Sequence, residues 1–286
     1  DVLIQQLVNG LVVGSVYALV ALGYTMIYGI LGIINFAQGE IYMFGAFGAV
    51  LTLAATGELG LAVLAGISSA CVVGVLLERI AFRPLRGTHP LIPLISAIGA
   101  SIFLSSLALL LFGPEDRSFP LDFITASHRV FGARITDLQL IIAGVSFGLM
   151  VILTLFVNLT KHGKAILAVA MDSDAARLSG ISADLTYVVT FLLGSALSGA
   201  AGILMAVYYN ATSPTMGLLP GLKGFSAAIL GGVGSIPGAI IGGLVLGVAE
   251  NMGAAYISSS FKDAFAFIAL VLVLIIRPRG ILGSRK

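Results

Sequence analysis

The stretch LIIAGVSFGLMVILTLFV, residues 140–157, is apolar throughout except for two hydroxyl side chains, Ser146 and Thr154. A continuous apolar run of about 18 residues matches the hydrocarbon core of a bilayer, which is roughly 30 Å thick. A membrane-spanning strand would instead alternate apolar and polar residues over about ten positions. The stretch therefore predicts a transmembrane helix, and we expect no strands elsewhere in the chain.

The rest of the chain has the same character. Of its 286 residues, 58% are hydrophobic and 10% are charged, and the mean hydropathy is +1.10. Soluble domains are roughly half apolar and a quarter charged, so an integral membrane protein is indicated. The predicted fold class is all-α, a polytopic helical membrane protein with about eight membrane segments, some broken or re-entrant, in one domain over residues 1–286. The predicted segments are residues 7–31, 33–55, 60–77, 91–112, 140–157, 186–207, 221–248 and 264–276.

The positions of Lys and Arg in short loops predict the orientation, because cytoplasmic loops carry an excess of these residues. We place a coupling loop at about 160–184 in the cytoplasm and a loop of mixed charge at about 113–138 outside. The cytoplasmic groups are Arg79, Arg83 and Arg86; Lys161, Lys164 and Arg177; and Arg277, Arg279, Arg285 and Lys286. The outer loop mixes Arg117, Arg129 and Arg134 with Glu115, Asp116, Asp122 and Asp137. The side of the N-terminus stays open.

This orientation requires residues 221–263 to begin and end outside, which one full crossing cannot do. The piece 222–233 would reach roughly 18 Å as a helix, short of the bilayer. We therefore predict a re-entrant hairpin that turns at residues 231–239 against the transport path, with Gly232, Gly234 and Ser235 on that path. Two closely packed short helices are the alternative.

A polar cluster interrupts the apolar run at residues 32–49, where Asn35, Gln38 and Glu40 occur. Polar and ionisable groups at membrane depth usually face a cavity or a partner helix, so these residues are candidates for the path. The alternative is a loop at the membrane surface, in which Glu40 would be solvated.

Signatures of catalysis and of metal or nucleotide binding are absent. His89, His128 and His162 lie in separate loops, and the Gly-rich run lacks the pattern of a phosphate loop. Cys71 sits in an apolar segment, as a structural thiol does. We expect no catalytic residue, metal site, bound cofactor or nucleic-acid partner for this chain.

The stretch AVAMDSDAARLSGI, residues 168–181, predicts a short helix in the basic loop. It contains residues that can cap a helix, an acidic residue for the first turn, residues that favour helix, and a glycine that can end it. A helix of about seven residues is unstable alone, so we expect a protein partner to hold it; a merely solvated loop helix is the alternative. The candidate coupling residues are Asp172, Ser173, Asp174, Ala175, Ala176, Arg177, Leu178 and Gly180.

Three stretches together resemble the permeases of branched-chain amino acid ABC transporters, in particular their H-type subunit. They are NGLVVGSVYALVALGYTMIYGILGIINFAQGE, GKAILAVAMDSDAARLSGI and GLKGFSAAILGGVGSIPGAIIGGLVLGVAEN. The resemblance implies an importer of the bacterial inner membrane that works by alternating access. It also implies a second related permease, two cytoplasmic ATPase subunits that bind ATP and Mg, and a periplasmic substrate-binding protein, with membrane lipid around the complex. The loop at 168–181 would be the helix that couples to an ATPase.

A zwitterion with an aliphatic side chain needs a mostly apolar passage with a few polar groups. Tyr24, Tyr28, Asn35, Gln38 and Asn251 could supply them. Other amino acids, amides, urea or a sugar are alternative substrates. The alternative class is an ion-coupled secondary transporter with Glu40, Glu250 and Lys223 as a charge relay.

Overall fold

The structure is a computed structural model that describes residues 2–119, 126–130 and 133–283; Asp122, Arg285 and Lys286 lie outside these ranges. Eight helices in the described residues are long and apolar enough to cross a membrane, which confirms the polytopic helical class. The elements in chain order are α1 Val2–Leu31, α2 Gln38–Thr56, α3 Leu59–Leu77, α4 Leu91–Phe112, β1 Ser127–Val130, β2 Ala133–Thr136, α5 Asp137–Leu159, α6 Lys161–Met171, α7 Ser173–Leu178, α8 Ala183–Tyr209, α9 Leu218–Gly231, α10 Ile236–Tyr256 and α11 Lys262–Ile276.

The prediction that the chain has no strands is wrong. β1 pairs with β2 in an antiparallel hairpin, with Ser127 opposite Thr136 and Val130 opposite Ala133. Each strand has only four residues. So short a strand shows too little alternation of apolar and polar residues to be recognised in a sequence.

The two ends of the helix bundle differ in charge and can be named by their residues. The hairpin side carries β1 and β2, and the N-terminal part of α1 lies there because Gln5 Nε2 donates to Arg134 O at 3.0 Å. The basic side carries the loop after α3, the helices α6 and α7, and the chain after Arg277. On the basic side Arg86 Nη1 lies 2.6 Å from Asp184 Oδ1, at the start of α8.

Two connections fold into the bundle instead of staying at its ends. After α1 has reached the basic side, residues 32–37 turn back, and Gln38 donates to Gly194 O and Ser198 Oγ at 3.0 and 2.6 Å, halfway along α8. Residues 210–217 enter from the hairpin side, where Thr212 N donates to Arg117 O at 2.8 Å. Gly217 then packs against Gly39. Both α2 and α9 therefore begin at mid-depth, as broken helices do in many transporters.

The packing relates α1–α4 to α8–α11. Helix α1 packs on α10 and α8 packs on α3; α2 packs on α3 and α8, whereas α9 packs on α10 and α1. Exchanging the two sets of four helices converts each of these pairs into another of them. Because α1 and α8 run in opposite directions, the chain is an inverted repeat joined by α5, α6 and α7.

The Gly-rich region differs from the prediction of a hairpin that turns at membrane depth. Helix α10 has 21 residues and is long enough to cross. The turn at 232–235 lies on the basic side, where Ile281 N and Leu282 N donate to Leu230 O and Gly231 O, both at 2.9 Å. The predicted turn is present, but its depth differs because α9 begins at mid-depth and α10 continues as a helix of 21 residues, in which glycines let neighbouring helices approach. The break at mid-depth lies one connection earlier, at 210–217.

Close packing of α1 on α10 makes a testable prediction. A Cβ added at Gly247 would collide with the backbone of Gly14. We expect Gly247→Val to lower the stability of the purified chain by about 1–3 kcal/mol or more, because the two helices would have to separate. Thermal unfolding in detergent measures this. Gly144→Val on α5 is the control, since nothing lies within 4 Å of a Cβ there; equal losses in both variants would contradict the prediction.

Candidate transport and coupling sites

Helix α7 has the cap that its sequence predicts. Asp172 Oδ1 accepts hydrogen bonds from Asp174 N and Ala175 N, both at 2.9 Å. Gly180 ends the helix in the left-handed region, with φ +83°. Glycine adopts this conformation without the steric cost that other residues meet. The sequence allows either Asp172 or Ser173 as the cap; the structure has Asp172 in this role and a helix of six residues, close to the predicted seven.

One side of α7 is anchored to the bundle and the other is free in this chain. Ala176 is buried and packs in a small apolar cluster with Ile30, Val169, Ala183 and Tyr187. In contrast, Leu178 is 91% exposed and Met171, just before the cap, is 80% exposed. The helix of six residues is thus held in place by α1, α6 and α8, and it presents apolar side chains outward on the basic side.

An ionic cluster lies beside this anchor. Arg86 pairs with Glu78 and with Asp184, and its guanidinium lies 3.8 Å from the centre of the Tyr187 ring. Arg83 is 3.2 Å from the same Asp184 carboxylate. These contacts join the loop after α3 to the first turn of α8. From the sequence, Arg83 and Arg86 could be interpreted only as indicators of orientation, because their partner Asp184 lies far away along the chain.

The predicted polar cluster is assembled at mid-depth. Asn35, Gln38 and Glu40 are all buried. Asn35 Nδ2 donates to Gln38 Oε1 at 3.0 Å, and Glu40 Oε1 accepts from Ser101 Oγ and Ser105 Oγ at 2.9 and 2.8 Å. The alternative of a surface loop with a solvated Glu40 is therefore wrong, since residues 32–37 fold back into the bundle.

Two cavities flank the chain where it enters α9. The Glu40 cavity, of about 240 Å³, has mostly apolar walls and includes Tyr24, Phe36, Glu40, Ile98 and Leu222. The hairpin-side cavity, of about 380 Å³, is more polar, and its lining residues include Tyr17, Tyr42, Asp116, Tyr209 and Lys223. The segment 215–219 contributes to both cavities, and the contact of Gly39 with Gly217 lies next to the Glu40 cavity.

Other predicted path residues are not brought to this cluster. Gly232, Gly234 and Ser235 form the turn beside the C-terminal chain on the basic side. Asn251 is buried in α10 and donates to Gly247 O in its own helix at 2.9 Å. Tyr28 is half-buried near the end of α1. Of the predicted path residues, Tyr24 and Glu40 line the Glu40 cavity, whereas Asn35 bonds to Gln38, and Gln38 bonds to α8.

The proposed charge relay is only partly assembled. Lys223 Nζ lies 3.0 Å from Glu250 Oε1 and 2.5 Å from Asp263 Oδ1, and Lys262 Nζ lies 3.4 Å from Glu250 Oε1. Tyr17 hydroxyl donates to Glu250 at 3.3 Å. We call these five residues the Lys223 cluster. Glu40 bonds to α4 instead and is not a member, so the three residues of the relay do not form one network.

These features define a class of protein, a membrane permease: broken helices meet at mid-depth beside a buried carboxylate and a cavity. Within the described residues, no three His, Cys, Asp or Glu side chains form a group that could hold a metal ion. The chain belongs to the family described as "Branched-chain amino acid transport system / permease component", which matches residues 6–274. It is therefore a transport subunit, not an enzyme, and a multi-pass protein of the bacterial inner membrane.

Individual relatives agree with this family. The chain is 45% identical to the high-affinity branched-chain amino acid transport system permease protein LivH of Salmonella typhimurium, over 98% of this chain and 95% of the relative. It is 44% identical to the corresponding protein BraD of Pseudomonas aeruginosa, with the same coverage. Among solved structures, PsaBC from Streptococcus pneumoniae in complex with Fab has a similar fold, with a TM-score of 0.50, 13% identity, and coverage of 95% of this chain and 91% of that chain.

Proposed function

We propose that the chain is the transmembrane permease subunit of a binding-protein-dependent ABC importer that moves branched-chain amino acids into the cytoplasm. The substrate class rests on LivH and BraD, whose names specify branched-chain amino acids and whose similarity extends over nearly the whole chain. A xylose permease, XylH of Haemophilus influenzae, matches only 38% of this chain, which favours an amino acid over a sugar.

The observation that carries the ATP-driven mechanism is the anchored helix α7 with its exposed Leu178 and Met171. The basic side is then cytoplasmic, and α7 docks on one of two ATPase subunits, which bind ATP and Mg. A second related permease completes the membrane part, and a periplasmic binding protein delivers substrate to the hairpin side. Movement of α7 reaches α8 through Ala176 and Tyr187, and it reaches the loop after α3 through Arg86.

The route through this chain follows the two cavities. Substrate enters from the hairpin-side cavity and passes the segment 215–219 into the Glu40 cavity. The contact of Gly39 with Gly217 holds α2 and α9 together beside this passage. Alternating access requires this contact to move between two arrangements, which ATP-driven displacement of α8 would cause because α2 packs directly on α8.

The coupling role of α7 is tested by replacing Asp174 and Arg177 together with Ala. Asp174 lies in the first turn and Arg177 in the last turn of the exposed helix. We expect the double variant to insert and fold, since neither residue is buried, but to uncouple ATP hydrolysis from uptake. Radiolabelled leucine uptake and ATP hydrolysis are measured in proteoliposomes that contain both permeases, the ATPases and the binding protein.

Two results would contradict this proposal. Unchanged uptake in the double variant would exclude α7 as the coupling element. Uptake by the unmodified complex that an uncoupler abolishes while ATP stays intact would favour an ion-coupled transporter. Replacing Glu58, which is exposed on the hairpin side, with Ala is the matched control and should leave coupling unchanged.

A further inference from the structure

The strongest unexplained feature in the bundle is the buried carboxyl group of Glu40. The residue is buried, with 3% relative exposure, and no Lys, Arg or His of the described residues forms a salt bridge with it. A buried carboxylate without a cation is costly. The other deeply buried acid of mid-bundle, Glu250, has two lysines beside it. A ligand that carries a cationic group could therefore complement Glu40.

Two hydrogen bonds orient the Glu40 carboxyl group in the wall of the cavity, where a ligand could contact it. Both hydroxyls, from Ser101 and Ser105, bond to one oxygen, Oε1. These neutral hydroxyls fix the orientation of the carboxyl group, and Glu40 lines the cavity. The Tyr24 side chain, itself buried, lines the same cavity. An ammonium group, with three donors, could bond to the carboxylate and to the Tyr24 hydroxyl together.

The remaining walls suit the rest of an aliphatic amino acid. Phe36, Ile98, Ile102 and Leu222 give the cavity a largely apolar surface for a branched side chain. Gly217 and Leu218, at the start of α9, also line it. The positive end of the dipole of this helix of 14 residues points towards the cavity and favours a carboxylate there.

From these observations we propose that the Glu40 cavity is a transit site that binds the substrate by its ammonium group, with Glu40 as the counter-ion. The inference rests on the proposed function, since it assumes that an amino acid passes through this chain. It adds a specific claim, that the membrane subunit itself selects for a positively charged amine. Carboxylic acids of the same carbon skeleton that lack the amine would then not bind at this site, even if the binding protein did not exclude them.

Protection of an introduced cysteine from a thiol reagent tests the claim in the assembled complex. Cys71 is replaced by Ser, and Leu222→Cys places a thiol in the wall of the cavity, near the start of α9, where a helix dipole increases reactivity. The probes are L-leucine, 3-methylbutylamine, which lacks the carboxylate, and 4-methylpentanoate, which lacks the amine. We expect the first two to slow the reaction and 4-methylpentanoate to leave it unchanged.

Glu40 variants give the second measurement. Glu40→Gln should weaken protection by leucine roughly tenfold or more, as expected for the loss of a charge-assisted bond, and Glu40→Asp should retain part of it. Glu58→Cys, exposed just before α3 and lining neither cavity, is the control. Protection restricted to Leu222→Cys supports a ligand in the Glu40 cavity.

Three outcomes would overturn the inference. They are equal protection by leucine and 4-methylpentanoate, undiminished protection by leucine in Glu40→Gln, or equal protection of both cysteines, which would indicate a general conformational change. The comparison of the three probes needs no change at Glu40, so it decides the question even if Glu40→Gln fails to assemble. Leucine uptake by the unmodified complex is measured separately: its absence overturns the proposed function, whereas intact uptake with amine-independent protection overturns only this inference.

Discussion

Leu178→Asp is expected to abolish ATP-driven leucine uptake while leaving the permease folded in the membrane. Leu178 is 91% exposed, so a charge there meets no neighbour within this chain. At a docked interface, however, the Asp would be buried in apolar surroundings without a partner. Burying an unpaired charge at an interface costs about 2 kcal/mol or more, which corresponds to roughly 30-fold weaker binding of the ATPase.

Co-purification of tagged ATPase with the permease, measured alongside uptake, checks this result. Leu178→Met is the matched control, because it keeps an apolar side chain of similar size and should retain both binding and uptake. The double variant of Asp174 and Arg177 tests coupling, whereas Leu178→Asp tests docking itself. Normal co-purification of the Leu178→Asp variant would show that this face of α7 carries no partner.

The second large effect is expected in the Lys223 cluster, where Glu250→Leu should destabilise the chain by about 3–5 kcal/mol. Glu250 is fully buried and pairs with Lys223 and Lys262. Removing this carboxylate leaves Lys223, also buried, with only the half-exposed Asp263 as a counter-ion. The cluster joins α1, α9, α10 and α11, so the loss should weaken the packing of these four helices on one another.

A double variant separates the net contribution of the pair from the cost of breaking it. Lys223→Met with Glu250→Leu removes both charges, and apolar pairs of similar volume often replace buried ion pairs without loss. We expect the double variant to unfold at a higher temperature than either single variant in detergent. A double variant as unstable as the sum of the single variants would mean that the ion pair itself contributes the stability.

Features that depend on neighbouring residues along the chain could be predicted from the sequence. The apolar run at 140–157 lies inside α5, and the basic loop contains α7 with Asp172 as its cap. In both cases the physical cause is local. A run of apolar residues forms a helix in lipid because the backbone must satisfy its own hydrogen bonds, and a side-chain oxygen at the start of a helix accepts from free N–H groups.

Features that depend on distant partners could not be predicted. Glu40 meets Ser101 and Ser105, and Gln38 meets Ser198, only because residues 32–37 fold back. The same holds for Gly217, whose approach to Gly39 places the break of the second half at 210–217 and not at the Gly-rich turn. A glycine in a sequence shows that close approach is possible, but not which helix approaches.

The inverted repeat has a consequence for stoichiometry. Its two sets, α1–α4 and α8–α11, resemble each other in packing, but α5, α6 and α7 occur once and join them. Helix α7, which is proposed to dock on the ATPase, therefore has no counterpart in the other half of the described chain. A single chain therefore offers one docking helix, so the proposed complex with two ATPases would need two permease chains, one docking helix for each ATPase.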